Sequence, residues 1–236
     1  MKILSWNVAL TTCLLRLASG IYRSRKSSSL EIFSLINKIN PDIVCFQEVQ
    51  SYAYNFLFSC LEKDYPHSCY NPELGLLIVS KMYLQSEESV LFPKNTFTTC
   101  CGIRTGIIHT FVPEINKYII NVHLPLRKVE NDVVLNQLKD CINSLNGEII
   151  LMGDFNVDYP DLFNVLNTLD IRKSPIRKIT FTHLVNYQLD YMFYITNNDR
   201  VPLNYKVIQT FESDHYPILY YFSRNKEHWT INPNTG

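Results

Sequence analysis

Apolar residues recur along the chain with two different spacings. Lys2 to Trp6 is a compact apolar run that predicts a strand, followed by a loop rich in Arg and Ser. Ile32, Leu35, Ile36 and Ile39 then fall at i, i+3, i+4 and i+7, which predicts an amphipathic helix. Ser28 and Glu31 have the spacing of a capping box in front of it, and Pro41 ends the pattern. Ile43 to Gln47 reads as a strand, and Tyr54, Leu57, Phe58 and Leu61 give a second helical stripe. Leu76 to Ser80, Ile103 to Val112 and Tyr118 to Val122 read as strands, the middle one long enough for a hairpin or meander. Val134, Leu138, Cys141 and Leu145 form a helix closed by Gly147, before a strand at Glu148 to Met152. Pro160 opens a further helix through Leu162, Phe163, Leu166 and Leu169. Strands at Tyr191 to Ile195, Tyr205 to Gln209 and Pro217 to Phe222 complete the chain. This order predicts an α/β fold with mixed sheets and helices outside them.

Composition narrows the class. Hydrophobic residues make up 46% of the 236 and charged residues 19%, which excludes disorder; one domain over 1–236 is expected. Lys plus Arg equals Asp plus Glu at 22 each, so a polyanion site must come from local clustering. The seven cysteines have no zinc-like spacing, and Cys45, Cys60 and Cys141 fall in apolar patterns. They are read as reduced, which places the chain inside the cell, cytoplasmic or nuclear. Residues 1–20 superficially resemble a signal peptide, but Trp6, Asn7, Thr11 and Thr12 interrupt the apolar run and Arg16 follows closely. No stretch reaches the roughly 18 apolar residues of a membrane span, and a monomer without stable membrane association is expected.

The informative residues are polar groups at strand ends. Asn7, Glu48 and His123 each close an apolar run, and Asp154 and Asn156 follow Ile149 to Gly153. Asp190 instead begins a strand, and Asp214 and His215 precede one. If the last two strands run antiparallel to the others, all these groups converge on one rim. Singly, each is explained by a turn or cap, and Asp154-Phe155-Asn156 fits an Asx-turn. His67 and His183 are read as structural. Glu48 is harder to dismiss, because a half-buried carboxylate requires a cation or donors.

Together these residue types suit phosphodiester hydrolysis. The reaction needs charge neutralisation on the phosphoryl oxygens, an activated water and help for the leaving oxygen. Glu48 offers an oxygen ligand for Mg²⁺, with Mn²⁺ as the alternative. Asp154 is placed to orient and deprotonate water, and Asp190 to hold His215 in one tautomer.

Ser5-Trp6-Asn7, Pro41 to Val49 ending in Gln47-Glu48-Val49, Asn121-Val122-His123-Leu124, Gly153-Asp154-Phe155-Asn156, Leu189-Asp190-Tyr191 and Ser213-Asp214-His215 occur in one order. In this the chain resembles the endonuclease/exonuclease/phosphatase superfamily, of the deoxyribonuclease I and exonuclease III type. The resemblance runs from residue 5 to residue 218. It implies a four-layered α/β sandwich, two packed mixed sheets flanked by helices, with the site at the top of the sheets. It implies that Glu48 ligates Mg²⁺ with Asn7 beside it and Asp214 near the metal. Asp154 and Asn156 would position water and phosphate, His123 would contact the scissile phosphate, and Asp190 and His215 would form a carboxylate–imidazole pair.

Departures from the superfamily's branches bear on substrate. Apurinic endonucleases carry Asp two residues after the first Asn and Tyr in the third motif, where this chain has Ala9 and His123. The 5′-tyrosyl-DNA phosphodiesterase branch or a general nuclease is more similar, and sphingomyelinases share the equivalents of His123, Asp214 and His215. The basic groups Arg23, Arg25 and Lys26, with Arg16 before them, and Arg172, Lys173, Arg177 and Lys178 form two clusters. Flanking the rim, they would bind a nucleic-acid backbone, which makes nucleic acid the expected substrate. The apolar loop Val8 to Leu17 is the feature suited to the alternative, a lipid or small-molecule phosphoester. A non-turnover binding module is the third reading, disfavoured because every acidic and His position is filled.

Overall fold

The computed structural model describes residues 1–10, 25–93, 103–125, 132–156, 188–196, 203–210, 212–213 and 215–222. Strand β1 (Lys2–Leu10) is followed by helix α1 (Arg25–Ile39), β2 (Ile43–Val49), α2 (Ser51–Leu61), β3 (His67–Asn71), β4 (Leu76–Ser80), β5 (Gln85–Leu91) and β6 (Gly106–Val112). A 3₁₀ turn at Pro113–Ile115 leads into β7 (Lys117–His123), α3 (Asp132–Ser144), β8 (Glu148–Asp154), β9 (Asp190–Ile195), β10 (Leu203–Val207) and β11 (Ile218–Phe222).

The strands form two mixed sheets, ordered β10-β11-β1-β2-β4-β3 and β5-β6-β7-β8-β9. Period-two alternation sorts each strand's side chains between two faces. Ile3, Cys45, Ile78, Ile119, Ile150 and Met192 face the opposite sheet and fill the space between the two. Leu4, Trp6, Val44 and Phe46 face outward against Ile32 and Ile36 of α1 and Leu57 of α2. Ile120, Val122 and Leu151 of the second sheet lie against Val134, Leu138 and Cys141 of α3. The result is four layers, helix, sheet, sheet and helix, as the sequence resemblance implies. Two parallel pairs, β1/β2 and β7/β8, carry α1 and α3 in their connections. The late strands reverse direction: β9 is antiparallel to β8, and β11 to β1.

Several boundaries differ from the sequence pattern. Helix α1 starts at Arg25, so Ser28 lies inside the helix rather than at its cap, and Arg25 and Lys26 open the helix rather than belonging to a loop. Its other end is as expected: Asn40 takes a left-handed φ of 52°, with its N–H on the Ile36 carbonyl at 2.7 Å, and Pro41 prevents continuation. The strand expected from Ile103 begins at Gly106, and the one expected at Tyr205 to Gln209 is shifted to Leu203–Val207. Strands β3 and β5 have no counterpart in the apolar pattern, because both are edge strands and β5 is mostly exposed. The helix expected after Pro160 lies outside the described residues.

Strand β1 lies between β11 and β2, so cleavage near Gly20 would remove an interior strand. Cys45, Cys60, Cys69 and Cys141 are unpaired, and burial pushes the Cys69 and Cys141 thiols up to about 11. Among the described residues, no helix is long and apolar enough to cross a membrane.

Candidate active site

Alternation brings the strand-end residues to one face. Ile150 and Met152 point between the sheets, so Asp154 does too; the same step carries Ile119 to His123, Met192 to Asp190 and Ile3 to Asn7. Register completes the row, with His123 opposite Asp154 and Asp154 opposite Asp190. Gly153 permits this approach of β8 to β7: its φ is +142°, and a Cβ there would lie 2.0 Å from the Val122 carbonyl oxygen.

Glu48 reaches the same space by breaking the alternation. By period two it would share the helix-facing side with Val44 and Phe46. Instead its φ is +59°, that of Ala9 is +45°, and the β1/β2 register shifts between Asn7 and Leu10. This bulge turns the carboxylate toward Asn7.

Asn7 Nδ2 donates to Asp154 Oδ2 at 2.9 Å and to Glu48 Oε1 at 3.2 Å, and its Oδ1 accepts the Ala9 N–H at 3.0 Å. His215 Nδ1 is 2.8 Å from Asp190 Oδ2, and its Nε2 is 3.8 Å from Asp154 Oδ2. His123 Nε2 lies 3.7 Å from Asp154 Oδ2 and 4.0 Å from Glu48 Oε1. Asp154 Oδ1 accepts the Asn156 N–H at 2.9 Å, so one oxygen makes the Asx-turn while the other faces the imidazoles. Asn156 Nδ2 donates to the Leu124 carbonyl at 2.8 Å and ties the segments after β7 and β8 together.

Two supports were not anticipated from the sequence. Ser213 Oγ donates to the Asn7 carbonyl at 2.7 Å and accepts the His215 N–H at 3.1 Å. Trp6 Nε1 donates to the His215 carbonyl at 3.1 Å. A small hydroxyl two residues before His215 was the available signal for the first; the second depends on β11 docking beside β1.

Burial dominates the electrostatics. It pushes the Asp154 carboxyl up to about 6, against the opposing pull of His215, His123 and the Asn7 amide. The same burial lowers His123, which favours its neutral form. His123 Nδ1 is buried and has no hydrogen-bond partner among the described residues, so the proton of the neutral ring belongs on Nε2, the nitrogen facing the acids.

The donor set suits a hard divalent cation. Glu48, Asp154 and Asp190 contribute carboxylates, all buried, and Asp154, Asp190 and His215 have ligand atoms within 4.8 Å of one another. Because His215 Nδ1 already meets Asp190 and both Asp154 oxygens accept hydrogen bonds, the Glu48 carboxylate beside Asn7 fits such an ion better than the imidazole does. Asn7, Glu48, His123, Asp154, Asn156, Asp190 and His215 therefore come together. Asp214, Arg23, Arg172, Lys173, Arg177 and Lys178 lie outside the described residues.

Residues 4–215 match the Endonuclease/Exonuclease/phosphatase family. No curated protein matches the chain. Among solved structures, a Staphylococcus aureus beta toxin mutant with bound magnesium ions is similar at a TM-score of 0.76 and 18% identity, over 94% of this chain and 99% of that one. Sphingomyelinase C from Streptomyces griseocarneus has a TM-score of 0.72 and 16% identity, over 93% and 98%. Humanized D. rerio TDP2 has a TM-score of 0.68 and 17% identity, over 94% and 98%.

Proposed function

Because the chain belongs to the endonuclease/exonuclease/phosphatase family, we propose that it is a divalent-metal-dependent phosphodiesterase whose active centre is the rim around Asn7, Glu48, His123, Asp154, Asp190 and His215. The observation that carries this reading is the Asp190–His215 pair at 2.8 Å, whose Nε2 faces Asp154 at 3.8 Å. A carboxyl raised to about 6 is a competent base near neutrality, so Asp154 orients the attacking water and accepts its proton. Asp190 fixes the orientation of His215 and supports its imidazolium form, which presents Nε2–H to a phosphoryl oxygen. Neutral His123 donates from Nε2 to the same group. Glu48, with Asn7 beside it, would hold Mg²⁺ or Mn²⁺, which when bound supplies neutralisation of phosphoryl charge.

Nucleic acid is the favoured substrate. The support is Arg23, Arg25 and Lys26 before the rest of α1, and Arg172, Lys173, Arg177 and Lys178 between the Asn156 and Asp190 motifs. A phospholipid diester is the second reading, favoured by the similarity to a sphingomyelinase C. Hydrolysis of bis-p-nitrophenyl phosphate, single- and double-stranded oligonucleotides and sphingomyelin, each with Mg²⁺ and with chelator, decides between them. Chelator-sensitive cleavage of oligonucleotides above sphingomyelin supports the first reading, the reverse order supports the second, and no cleavage of any diester overturns both.

A further inference from the structure

The apolar layer between the sheets is broken beneath the rim by Ser5 on β1, Gln47 on β2 and Asn121 on β7, none more than 2% exposed. Asn121 stands two residues before His123 on the same strand face and reaches the opposite sheet. Its Nδ2 donates to the Phe46 carbonyl at 2.9 Å and to the Leu77 carbonyl at 3.2 Å. Its Oδ1 accepts from Gln47 Nε2 at 2.7 Å. These bonds fall where the β2/β4 ladder stops: the register runs from Ile43 opposite Ser80 to Phe46 opposite Leu77. Beyond it, the Val49 N–H meets the Gly75 carbonyl at 2.9 Å. Glu48 lies within that interval, at the residue whose φ is +59°.

We propose that Asn121 is a positioning residue, a strut from one sheet that holds β2 where it leaves its ladder and so turns Glu48 onto the inner face. The proposal rests on the reading of Glu48 as the cation-holding carboxylate. Burying amides between sheets costs stability unless every atom is bonded, and Gln47 Oε1 has no hydrogen-bond partner among the described residues. Apolar side chains would fill the layer at lower cost, so what this network contributes is direction. Without the Asn121 amide, the Phe46 and Leu77 carbonyls lose its donors, and β2 regains them most simply by extending its regular pairing through Gln47. Regular alternation returns the Glu48 side chain to the face it shares with Val44 and Phe46.

The test combines Mn²⁺ binding to the substrate-free protein, exchange of the Val49 amide, and kcat and KM on bis-p-nitrophenyl phosphate. Asn121→Ala is expected to weaken Mn²⁺ and lower kcat by about tenfold to a hundredfold, the range for groups that orient a metal ligand, with faster Val49 exchange and KM little changed. In a Glu48→Gln background the same change should add nothing. Unchanged Mn²⁺ binding in folded Asn121→Ala, or losses that multiply in the Glu48→Gln background, overturns the strut. Should Asn121→Ala fail to fold, Gln47→Met, which removes only the side chain donating to Asn121 Oδ1, is read by the same criteria. If the wild type cleaves no diester, the proposed function fails, while Mn²⁺ binding and Val49 exchange still decide the role of Asn121.

Discussion

The Asn7 amide on β1 donates to Asp154 Oδ2 on β8 at 2.9 Å, joining the two sheets at the rim through a bond that favours the ionised carboxylate. Burial works in the opposite direction and brings Asp154 to about 6. A base acts only when ionised, so kcat/KM should fall as pH drops and Asp154 takes up its proton. Asn7→Ala removes a contribution that lowers the pKa, and the acid limb of the pH–rate profile at saturating Mg²⁺ should move to higher pH. A limb that stays in place or moves down would detach Asp154 from the base role.

Asp190 and His215 form one unit at 2.8 Å, so their losses should not add. His215→Ala combined with Asp190→Asn should turn over little more slowly than His215→Ala alone, because either change already leaves the pair incomplete. Multiplicative losses in kcat would give Asp190 a separate task, such as direct contact with substrate.

Gly153 carries the close approach of β7 and β8 that puts His123 opposite Asp154. With φ at +142° and a Cβ only 2.0 Å from the Val122 carbonyl oxygen, Gly153→Ala must displace backbone. Its urea midpoint should correspond to a loss of about 3 kcal/mol or more, the range of severe backbone and overpacking changes. A loss below about 1 kcal/mol would mean the strands can separate there without strain.

The sequence revealed the rim wherever a polar residue ended an apolar run, as at Asn7, His123 and Asp154, because alternation then fixes the face. Convergence also needed strand direction, which the late motifs left as a condition, since they start rather than end their strands; the antiparallel β9 and β11 meet it. The route of Glu48 was hidden: its chemistry was visible, but a left-handed φ of +59° depends on a bulge against β1, which no local pattern encodes. The partner of the Ser213 hydroxyl was equally hidden, since its bond to the Asn7 carbonyl spans 206 residues of sequence. Strands β3 and β5 escaped notice because edge strands bury too little to need an apolar pattern.

Substrate class can be separated from chemistry by salt. Each backbone phosphate neutralised on binding releases counterions, so polynucleotide binding should weaken steeply with ionic strength, whereas a single lipid headgroup phosphate gives a shallow dependence. Replacing Arg172, Lys173, Arg177 and Lys178 together by Ser should raise KM for an oligonucleotide and flatten its salt slope. Turnover of bis-p-nitrophenyl phosphate should be nearly unchanged. Equal effects on both substrates would remove the charge argument for nucleic acid.

The central claim, metal-dependent diester hydrolysis at the rim, is tested most directly by a Mg²⁺ titration of bis-p-nitrophenyl phosphate hydrolysis for the wild type and Glu48→Gln. The wild type should be silent in chelator and recover as Mg²⁺ is restored. Glu48→Gln keeps the side-chain shape but not the charge, and should need roughly tenfold or more Mg²⁺ for the same rate. Wild-type turnover that persists in chelator, or superimposable Mg²⁺ curves for the two proteins, would contradict it.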